Sequence, residues 1–350
     1  MHCSRRHLLQ LAAGGAGFWL ARPLWSRSGS AASLTPGTGA DDSPLRIALI
    51  SDLNSSYGST TYVPQVRRGV ALLGRLRPEL VLCAGDMVAG QKRGLTASQL
   101  QAMWRSFGVN VLDPLLSDGL AFAAAMGNHD ASSSQQNGRY AFALDRQEAS
   151  RFWLAQRSRL RITLLDGSDF PFRYSLLHRG VFVLVLDASS AGLGGEQLRW
   201  AERQLASPQA RQARLRLAIG HLPLYAVGQG RDRSGEVLHQ PALLRALLER
   251  QGVALYISGH HHTWFPGRVG GLNLLSLGAM GSGPRQLLQS TAPPQQSLTL
   301  LELSGGAGGL SETTYSLNSL EPLAAGSLPQ AIQPSQGPRL QRRPLQIGIS

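Results

Sequence analysis

Short apolar runs alternate with amphipathic stretches through most of the chain. The runs at 46–50, 80–83, 121–125, 181–186, 215–219, 255–257, 272–277 and 298–303 are rich in Val, Leu, Ile and Ala and read as strands. Stretches 64–76, 196–205 and 241–250 repeat their apolar residues at helical spacing. In the last of these, Leu243, Leu244, Leu247 and Leu248 form one face, and Pro64 and Pro241 suit a first helical position. Strands interleaved with helices predict an α/β layered domain. Loops at the carboxyl ends of strands carry the chemistry in such sheets. The polar motifs fall there: Asp52 follows Ile50, Asp86 follows Cys83, Asn128 follows Ala125, His221 follows Ile219 and His260 follows Ile257.

The ends of the chain break this pattern. Arg5 and Arg6 precede an apolar stretch from Leu8 to Ala21 that is interrupted by Gly14, Gly15 and Gly17, and small residues follow at 28–32. The pattern resembles a twin-arginine export signal over 1–32, and it predicts an exported, periplasmic protein. An uncleaved signal acting as a membrane anchor is the alternative. The short, glycine-rich core argues against a stable membrane span. Residues 33–44, rich in Ser, Gly, Thr and Pro, read as a linker. A domain over 45–316 follows. The Pro-, Gln- and Arg-rich segment 317–350 is expected to be mostly irregular.

Composition changes this picture little. The 350 residues are 43% apolar, which is globular rather than disordered. The net charge of +13 is almost wholly arginine, Lys92 being the sole lysine. Such a charge attracts anions. Seven of the arginines lie at 5, 6, 22, 27, 339, 342 and 343, near the two ends, and no basic stripe is interleaved with aromatics. That argues against nucleic acid as a partner. Cys3 and Cys83 are the only cysteines, so no disulfide framework is implied.

The motifs carry the chemistry. Asp52-Leu53-Asn54, Gly85-Asp86, Gly127-Asn128-His129-Asp130, Gly220-His221 and Gly259-His260-His261-His262 gather carboxylates, carboxamides and five of the nine histidines. A carboxylate bridging two cations offsets their repulsion, and imidazole suits Zn, Fe and Mn. Two metals about 3.5–4 Å apart can share a hydroxide that attacks phosphorus and can grip the phosphate oxygens. The departing oxygen then needs a proton or a positive neighbour.

In order and wording these motifs resemble the calcineurin-like metallophosphoesterase superfamily. Its pattern runs Asp-x-His, Gly-Asp, Gly-Asn-His-Asp/Glu, His and Gly-His-x-His. The match spans about 45–303. The resemblance implies a sandwich of two mixed β-sheets flanked by helices, with the site at strand ends. It implies that Asp86 bridges two metal ions (Mn, Fe or Zn), that Asp52 and His262 hold the first, and that Asn128, His221 and His260 hold the second. His129 is then the general acid facing a small phosphate-ester substrate, and Asp130 its hydrogen-bonded partner. His261 is expected to point away, since neighbours in extended backbone project to opposite sides. The first motif departs from the pattern: Asn54 stands where the family carries His. Asn54 can ligate through its carbonyl oxygen, a neighbour can compensate, or the first site can be weak. The purple acid phosphatase branch compensates with a Tyr where this chain has Ala89. Ligation by Asn54 is the preferred reading. Arg285, Arg231, Tyr225 and the run 132–138 are candidates to line the pocket. The function implied is phosphate ester hydrolysis, with a monoesterase preferred. A diesterase, or a non-catalytic metal- or phosphate-binding protein, is the alternative.

Overall fold

A computed structural model of the chain describes residues 44–281, 283–305 and 309–348. The expected export signal, and all but the last residue of the expected linker, lie outside these. All eight predicted strands and all three predicted helices form, each within one residue of its expected ends. Among the described residues, six strands make one sheet, in the order Gln346–Ile347, Leu310–Ser316, Ser297–Leu303, Leu45–Ile50, Leu80–Cys83, Ala121–Ala124. The last three run parallel and the others antiparallel. Nine strands make the second sheet. Its centre holds Leu272–Ser276, Leu255–Ser258, Leu215–Ile219 and Val181–Val185 in parallel, with antiparallel strands on both sides.

Strand periodicity shows how the layers stack. Val181, Val183 and Val185 join one core cluster, and Phe182 and Leu184 join the other. Leu255 and Ile257 likewise part from Tyr256. Since successive side chains face opposite sides, the second sheet is buried on both faces. The larger cluster lies between the sheets and continues under helices Pro64–Leu76, Ala97–Phe107 and Ala143–Gln156. The smaller one lies under Gly195–Leu205 and Pro241–Arg250. The result is the expected sandwich of two mixed sheets between helical layers.

Two of the longer helices among the described residues went unforeseen. Ala97–Phe107 opens with a capping box, in which Thr96 and Gln99 exchange hydrogen bonds, and it carries Trp104 and Phe107 inward. It continues through a wide-turn segment, Gly108–Leu112. Pro114, just beyond, has no N–H to donate, and its ring crowds the carbonyl of Asn110, so the regular ladder cannot continue there. Ala143–Gln156 buries Asp145, Arg146 and Glu148 beside Trp153, so its inward side shows no apolar stripe.

Segment 317–348 packs against edges of both sheets. It holds little regular structure, yet Leu317, Ile332 and Leu340 are buried and Gln346–Ile347 extends an edge of the first sheet. Ala331–Ile332 and Leu340–Arg342 extend an edge of the second. The guanidinium of Arg343 pairs with Glu312 in the interior, and Trp264 Nε1 donates to the same carboxylate at 3.0 Å. The scattered leucines and Arg343 are anchors, so the packed body runs past residue 316. No helix among the described residues is long and apolar enough to cross a membrane.

Candidate metal centre

The carboxyl ends of the parallel strands of both sheets meet at one rim and are laced together by backbone hydrogen bonds. Asp52 N–H donates to the Gly85 carbonyl (2.9 Å), Gly259 N–H to that of His221 (3.0 Å) and Met280 N–H to that of Ser51 (2.9 Å). The approach is close enough to demand glycine. A Cβ on Gly127 would run into the carboxylate and backbone nitrogen of Asp86, and one on Gly259 into the Ser51 hydroxyl. Asp52, Asp86, His260 and His262 all have left-handed backbones, with φ of 54°, 57°, 65° and 52°. Each costs about 1 kcal/mol or more for a non-glycine residue, and such strain persists where surrounding contacts over-determine it.

Two groups of buried ligand atoms result, and they share one residue. Asp86, His221 and His260 bring ligand atoms within 4.8 Å of one another, and so do Asp52, Asp86 and His262. Each imidazole is tied by one nitrogen and leaves the other for the centre. His221 Nδ1 donates to the Ala84 carbonyl (2.7 Å), leaving Nε2 at 3.3 Å from Asp86 Oδ2. His262 Nδ1 donates to the Gly283 carbonyl (2.9 Å), leaving Nε2 at 3.1 Å from Asp52 Oδ1. His260 Nε2 meets Glu236 Oε2 at 2.8 Å, and its Nδ1 makes no hydrogen bond among the described residues. Histidines held in this way from behind are a feature of metal sites. Asn128 is oriented likewise: its Nδ2 donates to Gln91 Oε1 (2.6 Å), and its Oδ1 lies 3.0 Å from His221 Nε2.

Charge follows from this packing. Burial opposes ionisation of Asp86, but the charges of His221 and His129 outweigh it and hold the carboxyl below its usual range. Burial likewise opposes ionisation of Asp52, and the charge of His262 and its hydrogen bond bring it low. His221 is pushed down by burial, yet the charge and hydrogen bond of Asp86 carry it up to about 9. His260 is brought down to about 4, first by burial. The centre thus gathers two buried carboxylates whose anionic form the neighbouring histidines favour.

The remaining predicted residues divide. Asn54 is buried, and its N–H donates to the Asp86 carbonyl at 3.1 Å. Its carboxamide makes no hydrogen bond among the described residues. His129 lies beside the centre, with Nε2 at 3.8 Å from Asp86 Oδ2 and Nδ1 at 3.3 Å from the Gly90 carbonyl. The Tyr57 ring covers it at 4.8 Å. His261 points away as expected. It accepts the N–H groups of Val227 and Gly228 at Nδ1 and donates from Nε2 to the Glu236 carbonyl (3.0 Å).

Asp130 corrects the expectation. It makes no bond to His129. Its carboxylate accepts four backbone N–H groups, from Asp86 (2.8 Å), Met87 (2.8 Å), Val88 (3.0 Å) and Gly127 (2.8 Å). The reason is helical geometry: Asn128–Ala131 is a single turn, and neighbours on a helix diverge by about 100°. The acid at the third position of the turn reaches back to the residue before it, as capping acids do. Burial and the charge of Asp86 push its carboxyl up to about 7, so the four donors offset only part of the burial cost. Asp130 therefore positions the Asp86 loop, and the Gly90 carbonyl orients His129. Asp130→Asn replaces one accepting oxygen by an NH2 group that faces N–H donors. It is expected to destabilise the fold by about 3 kcal/mol, read as a fall in Tm on thermal unfolding. An unchanged Tm contradicts this role.

A cavity of about 860 Å³ opens on the centre, lined by Asn128, His129 and His260. Ser132, Ser133, Ser134, Ser189 and Ser190 form a hydroxyl-rich part of its wall, and Arg231, Arg233 and Arg285 a basic part. Tyr225 is buried in the smaller core instead. Three residues of the site were not foreseen. Gln91 orients Asn128. Asp145 accepts the Gln91 N–H (2.8 Å), fixing the loop that holds His129. Glu236 backs His260 and pairs with Arg231 and Arg233. Glu236 sits in an aperiodic Gly/Arg-rich loop, and nothing in its spacing ties it to a motif 24 positions on.

A family model for calcineurin-like phosphoesterases matches residues 45–264. Comparison with curated proteins returned no match. Among solved structures, a purple acid phosphatase from yellow lupin seeds superposes with a TM-score of 0.62 at 14% identity. The match covers 80% of this chain and 53% of the lupin chain, so this chain spans about half of that protein. A dimetal phosphatase from Danio rerio gives 0.51 at 13% identity, over 80% of this chain and 98% of that one. GAP50, the anchor in the inner membrane complex of Plasmodium, gives 0.53 at 13% identity, over 81% and 87%.

Proposed function

We propose that this chain, a metallophosphoesterase that belongs to the calcineurin-like phosphoesterase family, hydrolyses phosphate monoesters at a centre for two metal ions. The observation that carries the reading is the pair of buried ligand groups sharing Asp86. The donor set fits hard or borderline cations such as Mn, Fe or Zn: carboxylate and carboxamide oxygens with imidazole nitrogens. Asp52, Asp86 and His262, with Asn54 beside them, would hold one ion; Asp86, Asn128, His221 and His260 would hold the other. Two cations held there supply the charge that polarises a phosphate ester and makes water nucleophilic near neutral pH.

The chain's own residues do the rest. Asp86, shared between the groups, keeps the two halves of the site in fixed relation. His129, with Nδ1–H donated to the Gly90 carbonyl, presents Nε2 to the cavity and can pass a proton to the departing oxygen from that atom. Gln91 and Glu236 hold Asn128 and His260 in register. Three guanidinium groups against one carboxylate in the cavity wall suit a doubly charged monoester better than a singly charged diester. Hydrolysis of an aryl phosphate monoester and the matching diester, with Mn, Fe or Zn supplied, tests the reading. The monoester is expected to turn over at least about tenfold faster, which corresponds to about 1.4 kcal/mol. A faster diester makes the protein a diesterase. Two bound metals without turnover of either substrate make it a non-catalytic binder.

A further inference from the structure

The basic part of the cavity wall is unevenly committed. Arg231 and Arg233 both pair with Glu236, whose carboxylate also meets His260 Nε2. Arg285 has no such anchor. Its guanidinium makes no hydrogen bond or ion pair among the described residues, and its Nε is buried without a partner. Yet its backbone is held firmly. Arg285 N–H donates to the His262 carbonyl (3.0 Å), Gln229 N–H to that of Gln286 (2.8 Å) and Leu288 N–H to that of Val227 (2.8 Å). Gly228 and Leu287 pair as a short antiparallel bridge. This ladder sets Arg285 beside the Arg231–Glu236 turn, with Nη1 4.0 Å from where a Cβ on Gly230 would sit.

Two guanidinium groups thus share one carboxylate, and the fork of the third, Arg285, is uncommitted among the described residues. A cavity of about 860 Å³ is larger than a phosphoryl group requires and falls in the range of sites that enclose a whole small molecule. The phosphoryl position is already served by the metal-ligand groups and His129. A positioned, uncommitted guanidinium elsewhere on the wall is a ready partner for a second planar or tetrahedral anion.

We infer that Arg285 reads a second anionic group, phosphate or carboxylate, on the leaving portion of the substrate, so that the preferred substrates are bis-anionic phosphate esters. The inference rests on the phosphoesterase reading for the identity of the first group.

The test compares native full-length, Mn-supplied protein with Arg285→Gln and Arg285→Lys. The substrate pairs are glucose 1,6-bisphosphate with glucose 6-phosphate, and 3-phosphoglycerate with glycerol 3-phosphate. The first pair probes a second phosphate and the second a carboxylate. Native protein is expected to favour the bis-anionic member of at least one pair by about tenfold or more in kcat/KM. In Arg285→Gln that ratio falls to about one, and Arg285→Lys retains part of it, with Tm unchanged in both. A native ratio near one for both pairs overturns the inference, as does a ratio that survives Arg285→Gln. If no ester is turned over, the phosphoesterase reading fails by itself. Calorimetric binding of 3-phosphoglycerate against glycerol 3-phosphate then decides the subsite: equal affinities, or no loss in Arg285→Gln, overturn it.

Discussion

Asp86→Asn is expected to lower kcat on an aryl phosphate by about four orders of magnitude, a loss of about 5.5 kcal/mol in transition-state stabilisation. Metal content should fall from two ions per chain to one or fewer. Asparagine is the informative exchange because position 86 has a left-handed backbone (φ 57°), which Asn tolerates and Ala does not. Asn can also still accept the His129 N–H that Asp86 Oδ1 receives at 2.9 Å, so the Gly127–His129 turn keeps its support. What it lacks is charge. Asp86 belongs to both ligand groups and stands against His221 at 3.3 Å and His129 at 3.8 Å. A neutral amide there would hold two cations with one negative charge fewer to offset their repulsion. Elemental analysis of the purified variant, with kcat at saturating Mn, measures both effects. Two ions retained with less than a tenfold loss would falsify the assignment of Asp86 as the shared ligand.

What the sequence disclosed follows a physical division. The candidate ligands lie two or three positions beyond apolar runs, and a run followed by a polar residue of metal-binding type is a local signal; Asp52, Asp86, Asn128, His221 and His260 stand out in this way. Asp130 was equally visible as a residue, but its partner was misjudged. The family resemblance suggested His129, whereas a single helical turn sends it to the N–H groups of Asp86, Met87, Val88 and Gly127. Glu236, Gln91 and Asp145 act through contacts between segments distant in sequence, and no period or spacing encodes those. Helix Ala143–Gln156 was hidden for a related reason. Its buried side holds Asp145, Arg146 and Glu148, which serve the site and the strands around it, so the apolar stripe that marks a helix is missing. Arg146 is an example: it donates to the Ala131 carbonyl (2.7 Å) and to Asp187 (2.9 Å). Places where patterning fails are those where polar function displaces packing.

His129→Ala separates proton transfer from metal binding. The side chain belongs to neither ligand group, and its removal costs one hydrogen bond to the Gly90 carbonyl and the contact with the Tyr57 ring. Metal content should stay at two ions per chain and Tm should change little. Turnover should fall according to the leaving group. An alkyl alcohol departs poorly as an alkoxide, so for an alkyl phosphate the loss is expected to be about 10³-fold, within the range of a positioned general acid. A nitrophenolate leaves without a proton, so for 4-nitrophenyl phosphate the loss should be about tenfold, reflecting only charge beside the phosphoryl group. The ratio of the two losses is the diagnostic. Equal losses on both substrates assign His129 to stabilising the transferring group rather than to protonating the leaving oxygen. No loss on either removes it from the chemistry, and the proton must then come from elsewhere on the cavity wall, where His239 is the remaining imidazole outside the ligand groups.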